Sequence, residues 1–277
     1  MTPPRRPARA ASRRPEARSY EVSTGTAELV PDRSDPDLWT LWLNGVPSSA
    51  VHLTDPTALD FEYMRWMADV IDAAKEPGRP LDVVHLGGAA CALPRYVEAT
   101  RPGSRQVVVE VDEQLARLVR ELFDLPRSPS LRIQTGDARE RLRQRRDDTA
   151  DLVVRDVFGG DVTPAHLTTV EYVADVARVL RPDGVYLANV ADRPPLGLLR
   201  SEVATLRAVF PATAMLTETA LLRGRRYANA VLVGANEPLP VADLARRLAS
   251  AAVPTRLVTG AQLVALQGST APLVDPA

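Results

Sequence analysis

The hydrophobic and polar positions of the chain follow two different periods. Between residues 20 and 53, short apolar runs alternate with turn residues, and Asn44-Gly45 directly follows the run LWL (41–43). An Asn-Gly pair next to such runs is typical of a hairpin, so this stretch predicts a small antiparallel β unit. Residues 1–19 are rich in Pro, Arg and Ala with almost nothing apolar to bury, which predicts a disordered basic tail.

Strand-like and helix-like segments alternate between residues 54 and 252. The strand-like apolar runs are 81–86, 106–111, 131–133, 151–154 and 185–190. Their alternation with helical segments is typical of a parallel, doubly wound α/β sheet. Two further runs, 214–219 and 227–233, are joined by a short turn, and they therefore predict an antiparallel hairpin at the sheet edge.

The closing hairpin distinguishes this pattern from a dinucleotide-binding domain. Parallel strands followed by an antiparallel pair predict a methyltransferase-type Rossmann fold, a seven-stranded doubly wound sheet, preceded here by the small β unit. The Rossmann-like domain would span residues 54–252. Residues 253–277 would form a C-terminal tail.

Glycines and acids follow the predicted parallel strands. Gly87 and Gly88 follow the first strand, Glu110 the second, Asp137 the third and Asp156 the fourth. Ligands bind at these strand ends in an open α/β sheet, glycines allow close approach of the backbone, and an acid about 20 residues further on can bind ribose hydroxyls. Each feature alone has an ordinary explanation, such as helix capping by Glu110 or Asp137. Together they predict a nucleoside site.

Composition narrows the possible function classes. The chain has 277 residues, of which 45% are hydrophobic and 25% charged, as in ordinary globular proteins. It has no apolar run of the 18 or so residues that a membrane span needs and no secretory signal, so we expect a cytoplasmic protein. Residues 1–19 hold six arginines against one acid, Glu16, and nothing in the remainder predicts a nucleic-acid groove. A single cysteine, Cys91, and three scattered histidines predict no disulfide and no metal site.

Several stretches of the chain together resemble one enzyme family. They are LGGAACALPRYVEA (86–99), VVVEVD (107–112), GDA (136–138), DLVVRDVF (151–158) and VLRPDGVYLANV (179–190). These resemble spermidine synthases, the polyamine aminopropyltransferases, and are nearest to a divergent, spermidine synthase-like branch. The resemblance covers roughly residues 38–234, including the hairpin RGRRYANAVLVG (223–234). It implies a homodimer, formed through the N-terminal β unit, that transfers a group to a small-molecule amine.

The resemblance also implies a donor site. The donor would be decarboxylated S-adenosylmethionine or S-adenosylmethionine itself, bound without a metal. Glu110 would hold the ribose hydroxyls, and Asp137 and Ala138 would contact the adenine. The complete set of implied donor-binding residues is Gly87, Gly88, Glu110, Val111, Asp137 and Ala138.

Asp156 matches the catalytic aspartate of the family. The resemblance implies that it orients the attacking amine and assists its deprotonation. Such a residue is needed because a primary amine, which ordinarily loses its proton only near pH ~10.4, is mostly protonated near neutral pH and attacks only as the free base. In-line attack on the carbon beside the sulfonium would then transfer the group.

Several polar positions of the family differ in this chain. Ala90 stands where the family has an aspartate, Gly159 replaces a second acid, Ser48 replaces a glutamine, and residues 61–63 read Phe-Glu-Tyr. Asp161 would replace the missing acid only if its loop bends. A diamine would lack carboxylate partners in such a site. Three functions therefore stay open: aminopropyl transfer, methyl transfer, and nucleoside binding without catalysis.

Overall fold

The computed structural model describes residues 15–123, 125–160, 162–224, 226–250 and 253–276. Most of the predicted basic tail, residues 1–14, lies outside the described residues, as does Asp161. Within the described ranges, no helix is both long and apolar enough to cross a membrane.

The N-terminal part forms a separate antiparallel sheet, as predicted. Its strands are β1 (Ser19–Val22), β2 (Gly25–Pro31), β3 (Leu38–Leu43) and β4 (Val46–His52), in that order across the sheet. Asn44 and Gly45 both have positive φ, at 51° and 78°, as a tight hairpin turn requires. The Asn44 carboxamide also accepts a hydrogen bond from Thr26 N and donates one to Thr24 O, which ties the β3–β4 turn to β2.

A second, eight-stranded sheet carries the rest of the chain. Its elements are α1 (Glu62–Ala74), β5 (Asp82–Leu86), α2 (Ala92–Thr100), β6 (Arg105–Glu110), α3 (Glu113–Leu122), β7 (Leu131–Thr135), α4 (Ala138–Arg143), β8 (Ala150–Arg155), α5 (Val170–Val179), β9 (Leu180–Asp192), α6 (Gly197–Val209), β10 (Ala212–Glu218), α7 (Thr219–Leu222), β11 (Ala228–Ala235), α8 (Val241–Leu248), β12 (Thr255–Thr259) and α9 (Gly260–Gln267). The strand order is β12-β10-β11-β9-β8-β5-β6-β7. Strands β5 to β9 are parallel, and β10, β11 and β12 pair antiparallel.

The predicted doubly wound sheet and its closing hairpin are confirmed, with one strand more than the seven predicted. The extra strand, β12, and the helix α9 lie in the segment predicted as a C-terminal tail. Their apolar pattern is weak, because Val258 is the only buried residue of β12 and Leu263 the only one of α9. An edge strand with so little burial gives almost no periodic signal.

The residues after α9 are also held in place. The Asp275 carboxylate accepts two hydrogen bonds from the Arg139 guanidinium, at 2.7 and 2.6 Å, and a third from Thr169 Oγ1 at 2.8 Å. Val170 N donates to Leu273 O at 2.8 Å. This segment is therefore anchored on α4 and α5 rather than a free tail.

Helix α1 begins at Glu62, although Asp55-Pro56 is a sequence pattern typical of a helix start. The Asp55 carboxylate accepts hydrogen bonds from both the backbone N–H and the hydroxyl of Thr57. Asp55 therefore closes a local turn instead of capping a helix.

Two apolar clusters cover the two faces of the large sheet, because alternate strand residues point to opposite faces. Val83 of β5 packs in the cluster shared with α1, α2 and the N-terminal sheet, whereas Val84 packs in the cluster with α5 and α6. Asp112 links the two sheets. Its carboxylate caps α3 and also accepts hydrogen bonds from Ser23 N, Thr24 N and the Thr24 hydroxyl. The N-terminal sheet is thereby fixed beside the end of β6.

Candidate active site

A cleft of about 730 Å³ lies at the carboxyl ends of the parallel strands, and the β3–β4 hairpin forms part of its wall. Its volume is in the range of small-molecule sites. Every residue predicted from the sequence for the site lines this cleft, namely Gly87, Gly88, Glu110, Val111, Asp137, Ala138 and Asp156. The structure therefore brings the whole predicted set together.

The two glycines after β5 are required by packing. Gly87 has φ of +85°, and a Cβ at this position would lie 2.1 Å from the backbone oxygen of Asp156. A Cβ at Gly88 would lie 2.5 Å from a methyl group of Val108. Only glycine lets the turn pass this close to its neighbours, so the backbone itself forms this wall of the cleft.

Glu110 is held by backbone N–H groups. Its Oε2 accepts hydrogen bonds from Gly88 N at 3.1 Å and Ala89 N at 3.3 Å, and its Oε1 accepts one from Asp112 N at 3.1 Å. Burial raises the pKa of Glu110 above its ordinary value, and these N–H groups oppose the rise. A carboxylate has about four acceptor sites, so Oε1 retains capacity for a ligand hydroxyl.

Asp137 caps α4 and also contacts a histidine. Its Oδ1 accepts hydrogen bonds from Arg139 N and Glu140 N, and its Oδ2 lies 2.8 Å from His166 Nε2. Burial alone would raise the pKa of Asp137, but the backbone N–H groups and His166 hold it below its ordinary value. Oδ1 of Asp137 therefore caps α4, as the ordinary helix-capping explanation of this residue predicted. Nothing in the sequence pattern pointed to His166, which lies in a 3₁₀ turn (Ala165–Leu167).

Asp156 is held by side chains from two other elements. Its Oδ2 accepts a hydrogen bond from the Tyr63 hydroxyl of α1 at 3.1 Å, and its Oδ1 accepts one from Asn189 Nδ2 of β9 at 2.9 Å. Burial raises the pKa of Asp156, although both hydrogen bonds oppose the rise. Burial and the adjacent carboxylate raise the pKa of Tyr63 well above its ordinary value, so its hydroxyl remains a donor.

Asn189 was not identified from the sequence. An amide in the middle of the apolar strand VYLANVA is the signal that could have found it. Asn189 is 1% exposed, and its Oδ1 has no hydrogen-bond partner among the described residues. A buried acceptor without a partner beside Asp156 is placed to receive a ligand N–H.

The described lining of the cleft is acidic. Its carboxylates belong to Glu62, Glu110, Asp137 and Asp156, and it includes no Arg or Lys. Such a lining concentrates positively charged ligands. No group of three or more His, Cys, Asp or Glu within the described ranges is arranged to hold a metal ion.

Three of the positions that depart from the spermidine synthase pattern, Ala90, Gly159 and Ser48, carry no acid. Ala90 is completely buried and lies in the apolar cluster next to α1. Gly159 lines the cleft, and its backbone N–H donates to Val162 O at 2.8 Å. The Ser48 hydroxyl donates to Val46 O at 3.0 Å, so it stays within its own hairpin.

Comparison with known proteins identifies the family. No family model matches the chain. A probable spermidine synthase from Corynebacterium glutamicum ATCC 13032, whose crystal structure is known, is 37% identical, with 95% of this chain and 98% of that chain covered at a TM-score of 0.89. The chain belongs to the spermidine synthase family. The resemblance deduced from the sequence motifs is therefore confirmed.

Curated members of the family and of a related group are more distant. A polyamine aminopropyltransferase from Vibrio vulnificus (strain CMCP6) is 29% identical over 152 residues, which are 54% of this chain and 49% of the relative. An N-terminal histidine N-methyltransferase from Emericella nidulans is 29% identical over 122 residues, 43% of this chain and 22% of the relative. The match thus spans about half the length of the aminopropyltransferase. Both relatives are group-transfer enzymes by name, one for aminopropyl and one for methyl groups.

Proposed function

We propose that this member of the spermidine synthase family transfers the aminopropyl group of decarboxylated S-adenosylmethionine to a primary amine, with Asp156 as the base. The observation that carries the proposal is the described lining of the cleft, which has four carboxylates and neither Arg nor Lys. A sulfonium donor and an amine acceptor are both cations, and an acidic cleft favours both.

The same lining favours the decarboxylated donor over S-adenosylmethionine. The intact molecule carries a carboxylate, which needs a cation or free N–H groups. The described lining supplies neither Arg nor Lys, and the N–H groups of Gly88 and Ala89 already donate to Glu110. Decarboxylated S-adenosylmethionine lacks this carboxylate and therefore needs no such partner.

The two ends of the cleft would bind different parts of the substrates. The nucleoside end comprises Glu110, Asp137 and Ala138, of which Glu110 would accept hydrogen bonds from the ribose hydroxyls and Asp137 with Ala138 would contact the adenine. The amine end comprises Tyr63, Asp156 and Asn189. The glycine turn lies between Glu110 and Asp156, so a donor that spans the cleft brings its sulfonium beside Asp156.

At the amine end, Asp156 would bind the acceptor ammonium and then take its proton. The raised pKa of Asp156 brings this carboxylate nearer to the pKa of an amine and makes proton transfer easier. The free amine attacks the methylene carbon beside the sulfonium, and a C–N bond forms as the C–S bond breaks. The electron pair passes to sulfur, which leaves neutral methylthioadenosine, and the proton leaves through Asp156 to solvent.

Methylthioadenosine release tests the proposal directly. The protein is incubated with decarboxylated S-adenosylmethionine and a panel of primary amines, and the product is measured by chromatography. Asp156→Asn should lower kcat by about 10²- to 10⁴-fold because the base is lost. Asp148→Asn is the matched control, since Asp148 is exposed and does not line the cleft. Unchanged turnover in Asp156→Asn would contradict the assigned role.

Methyl transfer is the second candidate, favoured by the missing acids at Ala90 and Gly159 and by the N-methyltransferase relative. It predicts S-adenosylhomocysteine from S-adenosylmethionine in the presence of an acceptor. A protein without catalysis would bind nucleosides and release neither product. Assays with both donors separate the three functions.

A further inference from the structure

A fully buried arginine directly precedes Asp156 in the sequence. Arg155 is the last residue of β8 and is 1% exposed. Its guanidinium pairs at 2.7 Å with the carboxylate of Glu202 on α6, which is also buried. Burial opposes the charge of Arg155, but the Glu202 carboxylate outweighs it and raises the pKa of Arg155. Apolar residues in place of such a pair are often equally stable or more so, and stability alone is therefore a weak explanation for it.

The guanidinium of Arg155 holds two backbone carbonyls of the cleft wall. Its Nη2 donates to Asn189 O at 3.1 Å, and its Nη1 donates to Leu167 O at 2.7 Å. Both Asn189 and Leu167 line the cleft. The ladder between β8 and β9 ends at the pair Arg155 and Ala188, so Asn189 lies one residue beyond the last pair. Arg155 therefore continues the connection between the two strands past the end of the ladder.

We infer that Arg155 is a positioning residue, which holds Asn189 so that its amide orients both Asp156 and the acceptor amine. The inference rests on the proposed aminopropyl transfer and adds a residue to its amine end. The main-chain oxygen of Asn189 is held by Arg155, and its Nδ2 is bound to Asp156. Its Oδ1 has no partner among the described residues and is available to an N–H of the amine.

This arrangement orients the attacking nitrogen. The acceptor ammonium gives one proton to Asp156, and the free amine keeps two N–H groups, one of which donates to Asn189 Oδ1. The lone pair can then face the carbon beside the sulfonium. Because small misplacements of reacting groups cost large factors in rate, a shift of Asn189 should lower turnover even though Asn189 itself does not react.

Arg155 also affects the titration of Asp156. Burial raises the pKa of Asp156, and the hydrogen bonds from Asn189 and Tyr63 and then the charge of Arg155 oppose the rise. Loss of Arg155 would weaken the Asn189 hydrogen bond and remove the positive charge. Both changes raise the pKa of Asp156 further. A residue that acts only in packing would leave this titration where it is.

Arg155→Met/Glu202→Leu tests the inference, because it removes the pair without leaving a lone buried charge. We expect kcat/KM for methylthioadenosine release to fall about tenfold at its maximum and the acidic limb to move up by about one pH unit. Arg155→Lys keeps the charge beside Glu202 but lacks the planar fork that reaches both carbonyls. It should shift the limb in the same direction by less, and it provides the test if the double variant does not fold.

Arg101→Met is the matched control. Arg101 is also 1% exposed, donates to backbone carbonyls and pairs with Asp72, but it does not line the cleft. Its replacement should lower the melting temperature and leave the pH profile at its wild-type position. Asp161, which lies outside the described residues, is the same in every protein compared. So are the other titratable residues that line the cleft, namely Glu62, Tyr63, Glu110, Asp137, His166 and Tyr227.

Carbon-13 NMR of the full chain labelled at the aspartate carboxyls measures the Asp156 titration without turnover. The signal is assigned by its loss in Asp156→Asn. The pKa should be higher in Arg155→Met/Glu202→Leu, and Asn189→Leu should raise it as well. Combining Asn189→Leu with either Arg155 variant should give less than the sum of the separate shifts, because Arg155 acts in part through Asn189.

The outcomes separate the role of Arg155 from the reaction. An Asp156 titration that is unchanged in the Arg155 variants, equally shifted in Arg101→Met, or shifted additively with Asn189→Leu overturns the positioning role, while aminopropyl transfer stands. If no amine yields methylthioadenosine, the proposed function is wrong, and the titrations alone decide the role of Arg155. Shifts that are less than additive then support it, and unchanged or additive shifts overturn it.

Discussion

The two ends of the cleft hold their acids in different ways. At the nucleoside end, Glu110 and Asp137 accept hydrogen bonds mainly from backbone N–H groups close to them in space. At the amine end, Asp156 accepts from the side chains of Tyr63 and Asn189, which are 93 and 33 residues away in the sequence. Burial raises the pKa of both Glu110 and Asp156, so the ends differ in their partners rather than in burial.

This difference affects how each end tolerates substitution. A backbone N–H is present whatever residue other than proline occupies the position, so the bonds that orient Glu110 survive most sequence changes nearby. The bonds that orient Asp156 disappear when Tyr63 or Asn189 changes to an apolar residue. Under the proposed function, substitutions around the amine end would change the choice of acceptor and leave nucleoside binding in place. Gly159, which lines the cleft three residues after Asp156, is a departure on the amine side of this division.

The largest effect on binding is expected from Glu110→Gln. In the wild-type protein, backbone N–H groups donate to the Glu110 carboxylate, and in the variant an amide NH₂ group would face some of these donors. The variant also lacks the negative charge that would accept hydrogen bonds from the ribose hydroxyls. Charged hydrogen bonds contribute about 1.5 to 3 kcal/mol each, so methylthioadenosine should bind about 100-fold more weakly. Calorimetry on the purified protein measures this change.

Glu113→Gln is the control for that substitution. Glu113 is an exposed acid in the first turn of α3, paired with Arg117, and it does not line the cleft. Its replacement should leave the Kd for methylthioadenosine unchanged. Equal Kd values for wild type and Glu110→Gln would mean that the nucleoside binds elsewhere.

A smaller effect, visible chiefly in pH dependence, is expected from Tyr63→Phe. The Tyr63 hydroxyl lowers the pKa of Asp156 by donating to its carboxylate, so removing the hydroxyl raises that pKa further. The base must be ionised to act, and the acidic limb of the kcat/KM profile should therefore move to higher pH by about one unit. The profile is measured from methylthioadenosine release across the pH range.

Tyr96→Phe provides the matched control. The Tyr96 hydroxyl also donates to a carboxylate, that of Asp72 at 2.7 Å, but this pair does not line the cleft. Its pH profile should coincide with that of the wild type. A Tyr63→Phe protein that loses activity equally at every pH would indicate damage to packing instead of a change in Asp156.

The site residues that the sequence predicted best belong to the glycine turn and the nucleoside end of the cleft. Gly87, Gly88, Glu110 and Asp137 depend on short stretches in which a strand end, a turn and a helix start succeed one another, and such local patterns are readable. The closing hairpin could also be predicted, because its two apolar runs are close together in the sequence. These features determine most of the large sheet and the nucleoside end.

The parts that were missed depend on distant contacts. The partners of Asp156 lie on α1 and β9, and no spacing rule connects them. His166 meets Asp137 across 29 residues. Strand β12 pairs with β10 at the sheet edge with a single buried residue, so its pattern was indistinguishable from a loop. Three-dimensional packing alone makes these residues neighbours.

The smallest predicted effect concerns the anchored C-terminal segment, which reaches the nucleoside end indirectly. Arg139 binds Asp275 and also donates to the carbonyl of His166, whose ring contacts Asp137. Asp275→Asn should weaken methylthioadenosine binding by only about two- to threefold, because Asp137 keeps its backbone hydrogen bonds. It should also speed hydrogen exchange at Val170, which donates to Leu273 O. Both changes are measured on the full chain, by calorimetry and by mass spectrometry.

Asp243→Asn is the control for that last substitution, since Asp243 pairs with Arg246 on the exposed face of α8. Faster exchange at Val170 without a change in Kd would mean that the C-terminal segment is anchored independently of the cleft.

The hydrogen bonds from Arg139 and Thr169 lower the pKa of Asp275 to about 2. A depressed pKa means that the anchor contributes above the ordinary pKa of an aspartate and is lost only as the pH falls toward about 2. The difference between wild type and Asp275→Asn should therefore be constant across neutral pH, unlike the pH-dependent effect of Tyr63→Phe.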